Sequence, residues 1–333
     1  MAKKKTRRQK RDRPLIANDD YAQAIIKALN QVQRGSGRRP AEIFRDWIQL
    51  ADASLEALPT QLKYVGRTGS PGPDKPETAE LFGRIRRWYE QPAWLSFAKA
   101  FGILLDSSAA GLHDRPGAMG PDVLGQVYMS WANSDPSWQA QYFTPWNVAL
   151  LMASITVGNG EREVHDRIKK ALLHPDNLWG QSVLLASLAL PADGAGARDY
   201  FFSTVLPAAL PFYEKIMVNE PAIGSGVLIL ATAAQYPEWA NYWGLISYTG
   251  QDLDRSSVWM SRINLKLYGL NSYGLTLHLA AVEAMEAAGR RAPLPGKPVE
   301  ILHNAGDLTT PTFAELFSWN LAELQPAMPV EAG

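Results

Sequence analysis

The sequence predicts an α/β protein in which a parallel sheet of strand–turn–helix units follows an N-terminal helical module. Three observations carry this expectation. In the first half of the chain, apolar residues recur at helical spacing. After residue 215, short apolar runs end in glycine-containing turns that lead into apolar helices. Hydrophobic residues at 46% and charged residues at 20% are globular values, and 333 residues allow one large domain or two small ones.

Residues 18–35 and 40–58 read as two amphipathic helices. The first carries Tyr21, Ile25, Ile26, Leu29 and Val32 behind the acidic start Asn18, Asp19, Asp20; the second begins at Pro40 and carries Phe44, Trp47, Ile48, Ala51 and Leu55. Residues 66–76 are loop by composition, and residues 77–105 return to helix on Leu81, Ile85, Trp88, Trp94, Phe97 and Phe101. Residues 110–121 form another loop. Asp122 then caps a helix over 123–133, and Thr144 followed by Pro145 marks the next helix start, a hydroxyl N-cap before proline. Residues 157–212 read as mostly helical. Beyond them Ile216–Glu220 is a short strand, ended by Pro221, Ala222, Ile223, Gly224, Ser225 and Gly226 and followed by a helix over 227–234. A second strand over 245–250 leads through Gln251, Asp252, Leu253 and Asp254 into a helix that ends at Leu267 and is closed by Gly269. A third strand candidate covers 299–303, before Gly306, Asp307 and Leu308. Three such units imply a parallel sheet with ligand at the strand carboxyl ends.

Charge is zero overall but unevenly placed. Lys3, Lys4, Lys5, Arg7, Arg8, Lys10, Arg11 and Arg13 stand against Asp12 alone, so the first 13 residues carry +7 and the remainder −7. Such a block does not fold by itself, and it reads either as a solubilising tail or as a basic arm for nucleic-acid phosphates. The absence of cysteine excludes disulfides, thiolate metal sites and thiol nucleophiles, including cytosine-C5 methyl transfer by the thiol route. No apolar run is long enough to span a membrane, and no apolar segment follows the basic start as a secretory signal would require. The five histidines are scattered, so no metal site is expected.

The turn from Glu220 to Gly226 lets the backbone approach a nucleotide, and about 30 residues on Asp252 stands where a carboxylate accepts both ribose hydroxyls. Asp254 reads as a helix cap; Asp252 does not. These pieces join others in one linear order. Asp122, Leu124, Gly125 and Tyr128 match D-x-L-G-x-x-Y; Gln141, Phe143, Thr144 and Pro145 match G-Q-x-F-T-P from its second residue; Glu220 to Gly226 matches D-P-x-x-G-S-G with Glu for Asp; Gly250, Asp252 and Asp254 match G-x-D-I-D; Asn264, Leu265, Leu267 and Gly269 match x-N-L-x-L-x-G; and Gly306, Asp307 and Leu308 match G-D-x-L. Over residues 122–310 the chain resembles the adenine-N6 DNA methyltransferases, especially the modification subunits of type I restriction systems.

The resemblance implies a Rossmann-like domain over 122–315 that binds S-adenosylmethionine, with a helical insertion at 157–212, behind a basic arm (1–17) and a helical module (18–121), and before a tail (316–333). It implies that Phe143, Thr144 and Pro145 line the methionine end of the cofactor, and that Glu220 sits near its ammonium. Pro221, Gly224, Ser225 and Gly226 form the approach. Asp252 holds the ribose, Leu253 covers one adenine face, and Asp307 accepts from the adenine amino group. DNA is the implied partner, with a specificity subunit, a second methyltransferase-like subunit or self-association beside it, in a cytoplasmic, bacterial or phage-encoded setting. Catalysis in the family needs an N-P-P-Y/F or D-P-P-Y/W tetrapeptide after the strand that follows Asp307, and none occurs in the last 26 residues. The nearest match is Asp135-Pro136-Ser137-Trp138. It lies too close to Gln141 for strands to intervene, so a loop between helices is expected there, and Asp135, Pro136 and Trp138 are only candidates. Without the catalytic strand the sheet is incomplete and the strand Ile216–Glu220 has an open edge, to be covered by residues 157–212 or by another chain. The rival expectations are a non-catalytic relative that binds cofactor and DNA, and a pure interaction protein.

Overall fold

The computed structural model describes residues 18–63, 75–114, 122–132, 143–188, 195–277 and 279–280. Five helices open the chain: α1 (Asn18–Ser36), α2 (Pro40–Lys63), α3 (Pro76–Arg86), α4 (Gln91–Asp114) and α5 (Val123–Val127), the last prolonged by a π-turn over Tyr128–Ala132. Their apolar stripes meet in one core. Ile25, Leu29 and Val32 face Phe44, Trp47 and Ile48, with Phe97, Leu104, Leu124 and Val127 closing the space. The Trp47 indole N–H, buried there, donates to the Phe97 carbonyl at 3.3 Å, so its one polar atom is satisfied.

A second helical body follows: α6 (Trp146–Val157), α7 (Gly160–Leu172), α8 (Leu178–Ser187), α9 (Ala195–Tyr200) with a π-turn over Phe201–Val205, and α10 (Leu206–Ala209). Strand β1 (Ile216–Glu220) leads through α11 (Val227–Ala233) and α12 (Glu238–Tyr242) to β2 (Ile246–Gly250), and α13 (Arg255–Leu267) comes after. The strands are parallel, with Ile216 opposite Ile246 and Glu220 opposite Gly250. Both carboxyl ends therefore lie at one edge of the sheet. The second core centres on Trp239, edge-on to Phe201 and Phe202 at 5.3 and 5.8 Å. The Tyr248 hydroxyl donates to Asn241 at 2.6 Å, and the Asn241 amide donates to the Ala233 carbonyl at 2.9 Å, a buried chain tying β2 to both crossover helices.

Helix α13 joins the two bodies. Met260 and Ile263 are buried in the first core while Leu265 packs on the second. Where it crosses α2, Lys266 donates to the buried Asp52 at 3.0 Å and to Glu56 at 2.6 Å, and Arg262 lies 3.3 Å from Asp52. The Lys266 hydrogen bond holds the Glu56 carboxyl down at about 2.

The Rossmann-like α/β expectation is overturned. Helices predominate among the described residues, and the sheet has two strands. The described residues between Trp146 and Phe212 go into helices and connecting turns, and each of the two strands is five residues long. The third strand candidate, 299–303, lies outside the described residues. Three local expectations also change. The helix expected over 77–105 is broken after Arg86: Pro92 has no N–H to donate to the Trp88 carbonyl and its ring crowds that carbonyl, so a continuous helix cannot run through residues 87–90. The loop expected from residue 110 is helix as far as Asp114. Thr144 does not cap α6: Pro145 takes the N-cap position with an extended ψ of 143°, so the chain turns into the helix one residue later. No helix among the described residues is long and apolar enough to cross a membrane.

Candidate functional site

The turn after β1 and the turn after β2 are stitched together. The Gln251 N–H donates to the Glu220 carbonyl at 3.1 Å, and the Ile223 N–H donates to the Gln251 carbonyl at 2.9 Å. Asp252 completes the closure. One carboxylate oxygen accepts from the Gly224 N–H at 2.9 Å, and the other accepts from the Asp254 N–H at 2.9 Å. Asp254 in turn caps α13 by accepting from the Ser256 N–H at 3.0 Å. Glu220 folds over its own turn and accepts from the Ala222 N–H at 3.0 Å.

Gly224 and Gly226 have φ of +53° and +94°, a region where a Cβ meets the neighbouring carbonyl. Space makes the same demand at Gly224, where an added Cβ would lie 3.2 Å from the Phe143 ring. Phe143 thus lies against the glycine turn. On its other side it packs on Tyr128 with ring centroids 5.6 Å apart. Burial, and then the negative charge of Asp254, push the Tyr128 phenol upward, with Arg45 opposing and Asp252 adding a smaller push. Leu253, between them, is fully exposed and apolar. Thr144 and Pro145 follow Phe143, half-buried and exposed respectively.

Beneath the turn lies a buried clamp. The Asn264 amide donates to the Asp122 carboxylate and to the Ser225 carbonyl, both at 2.8 Å, and the same Asp122 oxygen accepts from the Gly125 N–H at 2.8 Å. Asp122 is buried, and loss of hydration raises its pKa, against the lowering pull of the Gly125 N–H and the Asn264 amide. Segments 142 residues apart are thereby joined through one carboxylate.

The structure brings together Phe143, Thr144, Glu220, Pro221, Gly224, Ser225, Gly226, Asp252 and Leu253, drawn from three separate stretches of chain. It also gives Asp252 a structural task that its position in the sequence did not announce. Sequence reasoning assigned no role to the Asp122–Asn264 clamp. Its signal was present: Asn264 is a polar residue on the stripe of α13 that also buries Met260 and Ile263. Asp307, the residues 135–138 and the cations of the arm lie outside the described residues. Compared with known proteins, the chain matches no family model, no curated protein and no solved structure.

Proposed function

We propose that this chain binds S-adenosylmethionine at the two stitched turns and acts on DNA as a protein of the adenine-specific methyltransferase, modification-subunit type. The observation that carries the reading is the meeting of Phe143, Gly224 and Asp252 at the carboxyl ends of two parallel strands. The chemistry of the donor set fits the cofactor. Each Asp252 oxygen holds one backbone N–H and keeps a lone pair for a ribose hydroxyl, and Glu220 keeps an oxygen for an ammonium group. Leu253 offers an uncovered apolar surface to one face of an adenine. Asp307, on the segment beyond the described residues, accepts from the adenine amino group in this reading. The cofactor supplies a methyl group on a cationic sulfur. Phe143 excludes water beside it, Asp252 fixes the ribose, and the glycine turn permits the close approach.

Binding and transfer separate in this reading, because the tetrapeptide that holds a target amino group is missing after Asp307. Titration of the purified chain with S-adenosylmethionine should show saturable binding, and the isolated chain should incorporate little or no labelled methyl into unmethylated DNA. A partner subunit or a second copy would then complete the reaction. Absence of binding would favour a pure interaction protein. Efficient incorporation that Asp135→Ala abolishes would make residues 135–138 catalytic.

The basic arm supplies DNA affinity that is independent of sequence. Deleting residues 1–13 removes eight cations and should flatten the dependence of log affinity on log salt by several units, since each phosphate neutralised contributes about 0.9. Equal slopes with and without the arm would leave it a solubilising tail.

A further inference from the structure

The outer edge of β1 is a main-chain surface without a partner among the described residues. In a parallel ladder a residue's N–H and C=O point the same way, and the direction alternates along the strand. Ile216 donates to Leu245, and Glu220 accepts from Gln251, so Ile216, Val218 and Glu220 face β2. Met217 and Asn219 therefore point their N–H and C=O groups away from it. Neither makes a main-chain hydrogen bond outside the ladder among the described residues, and the Met217 side chain is 67% exposed. The described residues of 157–212 do not seal this edge. They contribute Glu163 and Arg167 to the wall of a groove of about 430 Å³ that runs along β1 and is completed by Met152, Val157 and Leu228. An unpaired strand edge beside a groove of mixed polar and apolar lining is a template for another strand.

The outer edge of β2 is different. The Asn271 side chain imitates a strand there: its oxygen accepts from the Tyr248 N–H at 2.8 Å and its amide donates to the Tyr248 carbonyl at 3.0 Å. The centre of that edge is already satisfied.

We propose that residues 299–303 of the same chain add to the outer edge of β1 as a third strand. Val299, Ile301 and Leu302 supply the β-branched and apolar residues that a pleated, half-buried surface favours. The described chain ends at the buried Ala280, and residues 281–298 span up to about 60 Å when extended, enough to reach across the molecule. The sequence beyond the strand carries Phe313, Leu316, Phe317, Leu321 and Leu324 at helical spacing. Beside the groove, α6 exposes Val148, Leu151, Met152 and Ile155. The apolar face exposed among the described residues and the apolar sequence of 299–303 thus belong to one chain. Tethering gives the segment an effective concentration on the order of millimolar, well above that of a second copy at working dilution. The proposal does not depend on cofactor binding.

The absence of native cysteine makes the test direct. Asn219→Cys, combined in turn with a cysteine at 300, 301 or 302 in the full-length chain, is oxidised and run without reductant. Directly opposed strand residues fall within disulfide reach, so one register should give an intramolecular cross-link and the others little. Only covalent dimers would assign the edge to a second copy, and no cross-link in any register would overturn the proposal. Hydrogen exchange supplies an independent measurement. The Met217 and Asn219 amides should be protected in the full chain and lose that protection by at least tenfold in Ile301→Pro, which cannot pair through its nitrogen. Equal exchange in both chains would also overturn it.

Discussion

Asn264→Leu is expected to destabilise the fold by about 3 kcal/mol, measured as a shift in the denaturant midpoint at unchanged slope. Leucine fills a similar volume but offers no N–H. The Ser225 carbonyl loses the Asn264 donor, and a buried unsatisfied acceptor costs about 1–3 kcal/mol; the Asp122 carboxylate keeps the Gly125 N–H but loses a hydrogen bond to a charged group, worth about 1.5–3 kcal/mol. A loss below about 1 kcal/mol would mean that water reaches the clamp. Asp122→Asn tests the electrostatic half. It retains an oxygen for the Gly125 N–H and the Asn264 amide while removing a charge whose burial is unfavourable. Because burial raises the native pKa of Asp122, the folded chain holds a proton at pH values where the unfolded chain has released it. The stability linked to this group is therefore fully present below the ordinary carboxylate pKa and is lost as pH rises through the native value. Asp122→Asn should remove that component of the pH dependence, leaving a flatter stability profile above the ordinary carboxylate pKa.

The same clamp shows how much of the site the sequence made legible. The motif order put Phe143, Gly224 and Asp252 on one list, and the structure brings them into one place. Both strands and the caps at Asp122 and Asp254 were legible because each rests on local chemistry within a few residues. What was not legible depends on distant partners. Asn264 reaches Asp122 across 142 residues, and no local signal distinguishes it from an exposed amide except its place on a buried stripe. Asp252 appeared to have no structural task because the Gly224 N–H that it accepts belongs to another strand's turn. The fold class went wrong by counting. A glycine turn after an apolar run marks one strand–turn–helix unit and not a full sheet; a pair of strands is enough when helices supply the rest of the core. Asn271 adds to this, since one side chain satisfies the centre of an edge that a third strand would otherwise occupy.

Asp252→Ala is expected to lower S-adenosylmethionine affinity at least tenfold. The carboxylate would give up two charge-assisted hydrogen bonds to the ribose, each worth about 1.5–3 kcal/mol. The turn would also lose the bonds from Gly224 and Asp254 that hold it closed. That double role means the variant alone cannot separate a ligand contact from a loosened loop, so Leu253→Ala is its necessary companion. Leu253 is fully exposed and contributes nothing to either core, and its replacement should leave the denaturation midpoint unchanged. If its side chain covers an adenine, losing part of that apolar contact costs about 1 kcal/mol, or roughly a fivefold weaker affinity. Isothermal titration of both variants, with their unfolding curves, decides the matter. Weaker binding by Leu253→Ala at unchanged stability would tie the stitched turns to the ligand itself. Unchanged affinity in Leu253→Ala together with a fall in Asp252→Ala that tracks its loss of stability would reduce Asp252 to a loop fastener. Because Leu253 lies between the two carboxylates and touches neither core, no repacking can mimic its effect.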